Sequence, residues 1–154
     1  IIQSVIDINN EQKIYFFNKI LDRFSKKELK SKSLLFLGTA FKPHTDDIRE
    51  SVGISLINMI SPIVKRVTIF EPIAKENSIN ALSKLNNVRF QKTRTPSINK
   101  NYDFMILATE YPMFLKIPYQ NFKKLKDKVV FDGRNILNKD KLKKNGIEYI
   151  GIGK

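Results

Sequence analysis

The side chains in this sequence best placed for chemistry are cations at the ends of apolar runs. In "GTAFKPHTDDIRES", residues 38–51, Lys42 and Arg49 stand among Asp46, Asp47, Glu50 and the chain's single histidine, His44. In "FDGRN", residues 131–135, Arg134 follows a glycine in the same way. A helix N-terminus already favours negative charge through its dipole and free N–H groups, and cations added there deepen an anion site. The chemistry implied is phosphate or diphosphate binding by Lys42 and Arg49, with Arg134 able to converge with Lys42 on one ligand. The alternative is an ion-paired loop, with Lys42 and Arg49 on Asp46 and Asp47, and a turn carrying a solvated Arg134. Neither GxGxxG nor GxxxxGK[ST] is present to decide the matter.

The acids of the first stretch have a structural use. Asp47 as N-cap and Glu50 at the third helical position fit a capping box. Asp46 and Asp47 could instead hold a metal, but capping is the simpler account. Glu110, in "TEY" at 109–111, could accept a sugar or ribose hydroxyl or merely start a helix. Gly38 permits a tight exit from a strand, and Pro43 pushes Lys42 towards an extended conformation.

These residues need a frame that brings strand ends together. Apolar runs predict strands at 34–38, 66–72, 88–90, 102–109, 128–133 and 148–153. Helical spacing predicts helices at 49–60, 73–85, 119–126 and 138–146 between them. That alternation implies right-handed crossovers and an α/β fold, a Rossmann-like parallel sheet with helices on both faces. In such a sheet, ligands sit beyond the carboxyl ends of the strands, where both cation-bearing stretches fall. A long helix over 1–24 precedes it, with Ile2, Val5, Ile6, Phe16, Phe17, Ile20, Leu21 and Phe24 at largely helical spacing. Its apolar face is expected to meet a surface outside this chain or in another subunit. "SKKELKSKS", 25–33, reads as a polar linker or helix end.

Composition narrows the classes. A chain of 154 residues with 42% hydrophobic content can bury one core. The absence of cysteine excludes disulfides, thiolate metal sites and a cysteine nucleophile within these residues. No metal site is expected. The net charge of +13 suits anionic partners, although the lysines are spread rather than striped, as solvated lysines would be. A nucleic-acid-binding module is the alternative class, supported by charge alone. No apolar run is long enough to cross a bilayer, no signal-peptide pattern opens the chain, and a cytoplasmic location is expected. The apolar start without Met reads as a piece of something longer.

Five ordered stretches carry a family resemblance: "GTAFKPHTDDIRES", "VTIFEPIA", "DFMILATEYPMF", "VVFDGRNI" and "GIEYIGIGK". Together they resemble the C-terminal, UDP-sugar-binding domain of the UDP-glucose/GDP-mannose dehydrogenase family. "VIDINNEQK" resembles the central helix before that domain, so the resemblance covers essentially the whole chain. It implies that residues 1–29 are the end of a connecting and dimerisation helix and 30–154 the UDP-sugar-binding domain. The NAD-binding domain and the cysteine that forms the thiohemiacetal and thioester would lie elsewhere.

The implied activity is oxidation of a nucleotide sugar at C6 with reduction of two NAD, UDP-glucose being the substrate favoured by "FDGRN". UDP-N-acetyl sugars and GDP-mannose remain open. By the same resemblance, Phe41, Lys42 and Arg134 contact substrate and Arg49 reaches NAD. No catalytic residue lies in this chain, which is expected to be inactive alone. A homodimer through the 1–24 helix and a role in polysaccharide biosynthesis are implied as well. Departures from the family pattern are His44 for a small polar residue, Val52 for proline, Tyr111 for tryptophan and Glu71 for aspartate. None removes a charged contact, and His44 is given no catalytic role.

Overall fold

The four central strands are buried on both faces because both faces are covered, while the two edge strands are only partly buried. The computed structural model describes residues 1–153; Lys154 and the side chains of Ile6 and Asn9 lie outside the described residues. The strands are β1 (Ser33–Leu37), β2 (Arg66–Phe70), β3 (Val88–Phe90), β4 (Phe104–Leu107), β5 (Val129–Asp132) and β6 (Glu148–Gly151). All pair in parallel, in the order β3-β2-β1-β4-β5-β6. This is the Rossmann order, and the order in which strands are added reverses between β1 and β4.

Side chains alternate across the sheet. Leu34 and Phe36 of β1 join Val67, Ile69, Phe104, Ile106, Val129 and Phe131 in one core layer. Leu35 and Leu37 join Met105, Leu107 and Val130 in the other. The first layer is covered by α1 (Ile2–Arg23) and α3 (Val52–Ile60). The second is covered by Leu142 of α5 (Lys139–Lys144) and by 3₁₀ turns that bury Phe114 and Phe122. The segment expected as a helix at 119–126 is one of these turns, Tyr119–Lys124. Two short helices complete the chain: α2 (Lys26–Leu29) and α4 (Lys75–Ala81).

Three expectations are corrected. The α1 helix does not pack wholly on a surface outside the chain. Phe16, Ile20 and Phe24 are buried in the sheet's own core, and Phe24 packs 4.9 Å from the Phe104 ring. Ile2, Val5 and Ile8 of its N-terminal half stay exposed, as do Ile14 and Tyr15 further along. The "linker" at 25–33 contains α2, closed by a capping box. The Glu28 N–H donates to Ser25 Oγ, and the Glu28 carboxylate accepts from the Ser25 N–H. Finally, α3 begins at Val52, not after Asp47, and its N-cap is Ser51.

The helix start has a steric cause. A Cβ on Gly53 would stand 2.8 Å from the Gly38 carbonyl, so only glycine lets the first turn of α3 approach the β1 exit. Ser51 fixes the same joint, donating to the Thr39 carbonyl while accepting from the Ile54 N–H. Glu50 therefore sits outside the helix at φ 56°.

Candidate functional site

The loop after β1 leaves the sheet at Gly38, which has φ +90°. A Cβ there would lie 2.5 Å from Thr109 on the neighbouring β4 exit. The two exits are also tied by the Thr109 hydroxyl, which donates to the Ala40 carbonyl at 3.0 Å. From this anchor the loop closes on itself: the Phe41 N–H donates to the Asp47 carbonyl at 2.8 Å. Phe41 and Lys42 are thereby held at the carboxyl edge of the sheet, both exposed.

Glu71 organises the base of this loop. Its buried carboxylate accepts the N–H groups of Thr39, Ala40, Ile73 and Ala74 at 2.7–3.0 Å. The Tyr111 hydroxyl completes the set at 2.7 Å. Three strand exits, from β1, β2 and β4, thus share one carboxylate. Burial, and then the Glu71 carboxylate itself, push the Tyr111 hydroxyl far above its ordinary titration range.

After β5, Asp132 plays a comparable part. It accepts the N–H groups of Arg134 and Leu137 and the Tyr149 hydroxyl. Burial, and then Asp132, raise the Tyr149 hydroxyl in turn. Arg134 is aimed by two contacts: its Nε donates to the Ala108 carbonyl at 2.9 Å and lies 3.1 Å from Glu110 Oε2. Its terminal guanidinium nitrogens carry no hydrogen bond among the described residues.

These supports surround a cleft of about 560 Å³ whose lining includes Phe41, Lys42, Glu50, Glu110, Arg134 and Phe16. Lys42 and Arg134, from loops after β1 and β5, therefore meet on one cavity. The volume lies in the range of roughly 300–1,000 Å³ usual for small-molecule sites. Its lining mixes apolar side chains, among them Phe16, Val52 and Leu56, with charged ones, a combination that suits a ligand carrying both a ring and polar groups.

The structure separates Arg49 from this group. Arg49 does not line the cleft; its side chain is 87% exposed and pairs with Asp47 through Nε at 3.0 Å and Nη2 at 2.9 Å. The ion-paired alternative thus describes Arg49, while the convergent alternative describes Lys42. Asp47 does not cap α3; the fork of Arg49 hydrogen bonds draws its pKa down to about 2.

Sequence reasoning missed Asn10, Gln12 and Lys13 of α1, which also line the cleft. No local signal marks them. They reach the site because α1 runs antiparallel to β6. Arg23 pairs with Glu148, the first residue of β6, at 2.9 Å, and Lys19 donates to the Gly151 carbonyl, at its end, at 2.7 Å. The N-terminal part of α1 consequently projects past the carboxyl edge, and Asn10, Gln12 and Lys13 wall the cleft.

The model of the UDP-glucose/GDP-mannose dehydrogenase family's UDP binding domain matches residues 35–139. An uncharacterized protein of Methanocaldococcus jannaschii is 39% identical over the whole chain, which covers 18% of that protein. The UDP-glucose 6-dehydrogenase YwqF of Bacillus subtilis is 28% identical, again over the whole chain and 34% of the relative. Among solved structures, a UDP-glucose dehydrogenase of Pyrobaculum islandicum superposes with a TM-score of 0.73 at 26% identity, over 97% of this chain and 31% of that one. The chain thus spans about a third of the length of these dehydrogenases.

Proposed function

Since the chain belongs to the UDP-glucose/GDP-mannose dehydrogenase family, we propose that it is the nucleotide-sugar-binding part of an NAD-dependent UDP-glucose 6-dehydrogenase. The observation that carries the reading is the meeting of Lys42 and Arg134 on one cleft, with Phe41 in its lining. In this reading Phe41 packs against the nucleotide sugar, and Lys42 and Arg134 bind its anionic groups. The remaining chemistry lies in parts of the relatives outside the third of their length that this chain spans. Oxidation of the sugar alcohol to a carboxylate takes two hydride transfers, and NAD, when bound, accepts the hydrides.

The fit of NAD to these residues is limited to one contact. Arg49 stands outside the cleft with its guanidinium largely in solvent, as a residue reaching across to a facing domain would. No glycine-rich phosphate loop accompanies it. Residues 1–29 serve in this reading as a connecting helix and the rest as the UDP-sugar domain, in a cytoplasmic homodimer that feeds polysaccharide synthesis. The exposed Ile2, Val5 and Ile8 support the dimer. No helix among the described residues is long and apolar enough to cross a membrane.

A thermal-shift titration with UDP, UDP-glucose, GDP-mannose, NAD and a random DNA duplex tests this. Ligands that bind the native state raise Tm by mass action. The expected result is a rise with uridine nucleotides that Lys42→Ala or Arg134→Ala removes. A rise with DNA alone, fading with salt, would overturn the reading in favour of the basic nucleic-acid module. Silence with every ligand would overturn the claim that this chain holds the nucleotide by itself.

A further inference from the structure

We propose that Lys13, on the long helix α1, is a third cation of the cleft and binds the diphosphate of the nucleotide directly. The inference rests on the reading above and extends the site from the sheet edge to the helix. Three observations carry it. Lys13 lines the same cavity as Lys42 and Arg134. Its side chain is only partly exposed, and no carboxylate or carbonyl among the described residues binds it. Its position follows from the antiparallel docking of α1 on β6: at 1.5 Å per residue it stands about 9 Å beyond Lys19, past the end of the strand.

The balance of charge selects Lys13 for the phosphates. Arg134 is already offset by Glu110 at 3.1 Å. Glu50, the other acid of the lining, has no ion-pair partner among the described residues and opposes anion binding. Lys42 alone leaves the lining of sheet-edge loops with no net positive charge. Lys13 raises the whole lining to one net positive charge and reaches the cleft from α1 rather than from the sheet-edge loops. A diphosphate in the cleft would meet Lys13 from the helix and Lys42 from the β1 loop, as ammonium groups bind phosphate without a fixed fork.

Isothermal titration of UDP and of inorganic pyrophosphate into the wild type, Lys13→Ala, Lys13→Gln, Lys13→Arg and Lys42→Ala tests the assignment. Alanine is the best helix former, so Lys13→Ala should fold, and an unchanged ligand-free Tm verifies this. The expected result is roughly tenfold weaker binding of both ligands to the Ala and Gln variants, as for a lost charged hydrogen bond, with Arg retaining most of the affinity. Wild-type affinity in Lys13→Ala, with loss in Lys42→Ala, would overturn the role of Lys13 and leave the cleft intact. Loss for UDP but not for pyrophosphate would overturn the diphosphate contact. A wild type that binds neither ligand would overturn the parent reading and this one with it.

Discussion

The Tyr111 hydroxyl donates to Glu71 Oε2 at 2.7 Å, and both side chains are almost wholly buried. These are two of the positions at which the sequence departs from the pattern it resembles, tyrosine for tryptophan and glutamate for aspartate. They are direct partners. A carboxylate one methylene longer reaches a hydroxyl, and its other contacts hold four backbone N–H groups at the β1 and β2 exits. The departures are therefore one coupled change that preserves the loop bearing Lys42.

The coupling is measurable. Tyr111→Phe removes one donor from a carboxylate that keeps its backbone N–H groups, so the expected cost is about 1 kcal/mol. Glu71→Gln turns an amide N–H₂ towards backbone donors and should cost about 3 kcal/mol. Glu71→Asp with Tyr111→Trp should cost less than the sum of the single changes. Urea melts of the wild type, Glu71→Asp, Tyr111→Trp and the double variant check the coupling, and those of Tyr111→Phe and Glu71→Gln the single costs; strict additivity in the cycle would show that the two positions are independent.

Gly38 predicts a steric loss. Gly38→Ala must hold φ +90° and place its Cβ 2.5 Å from Thr109, so a loss of about 3 kcal/mol or more is expected. Gly146 has φ +74° with nothing near its missing Cβ, and Gly146→Ala should cost only about 1 kcal/mol. Equal thermal melts for the two variants would show that overlap with Thr109 contributes nothing.

Much of the frame was legible in the sequence because parallel strands covered on both faces are continuous apolar runs. All six strands fall where such runs predict them; four are trimmed, Val88–Phe90 keeps its bounds and Ser33–Leu37 is shifted by one residue. The helix starts were less legible. Asp47 and Glu50 have the spacing of a capping box, yet Ser51 caps α3 because Gly53 must pass close to Gly38, a contact that no local pattern announces. Lys42 and Arg134 could be singled out because each follows a strand-ending glycine. Lys13 could not, since only the docking of α1 against β6 brings it to the cleft.

The Asp47–Arg49 pair predicts a titration. Arg49 hydrogen bonds lower the Asp47 pKa to about 2 from an ordinary 3.8. A depressed carboxylate pKa means the pair's stabilisation is present above about pH 4 and is lost as pH falls from there to about 2. Carbon-detected NMR should place the Asp47 midpoint near 2, and Arg49→Ala should raise it only part of the way, because the residue-49 N–H still donates to the carboxylate. Because the Arg49 guanidinium is largely in solvent, global stability at neutral pH should barely change in that variant. An Asp47 midpoint near 4 in the wild type would remove the pair.

Arg134 is held by geometry that lysine does not reproduce. Its Nε binds the Ala108 carbonyl and lies beside Glu110, which leaves the terminal nitrogens of the planar fork for a ligand. Arg134→Lys should therefore lose roughly tenfold in affinity for UDP. Lys42, exposed and without such a brace, should tolerate Lys42→Arg within about threefold. Titration calorimetry on both variants checks the contrast, and equal losses would reduce Arg134 to a simple positive charge.

The two halves of α1 should answer differently to substitution. Phe16 packs edge-on to Phe131 with ring centres 6.4 Å apart and is buried in the core. Phe16→Ala should cost about 3–5 kcal/mol and lower Tm accordingly. Val5 and Ile8 are more than half exposed on the projecting half, at 53% and 54%, so Val5→Ser with Ile8→Ser should leave the stability of the isolated fold within about 0.5 kcal/mol. If the exposed face joins two copies, that same double variant should shift light scattering from dimer to monomer. A wild type that is already monomeric at high concentration would remove the dimer from the proposed function while leaving the core role of Phe16 untouched. Coupled loss of stability in both variants would instead mean that α1 folds only as one unit with its partner.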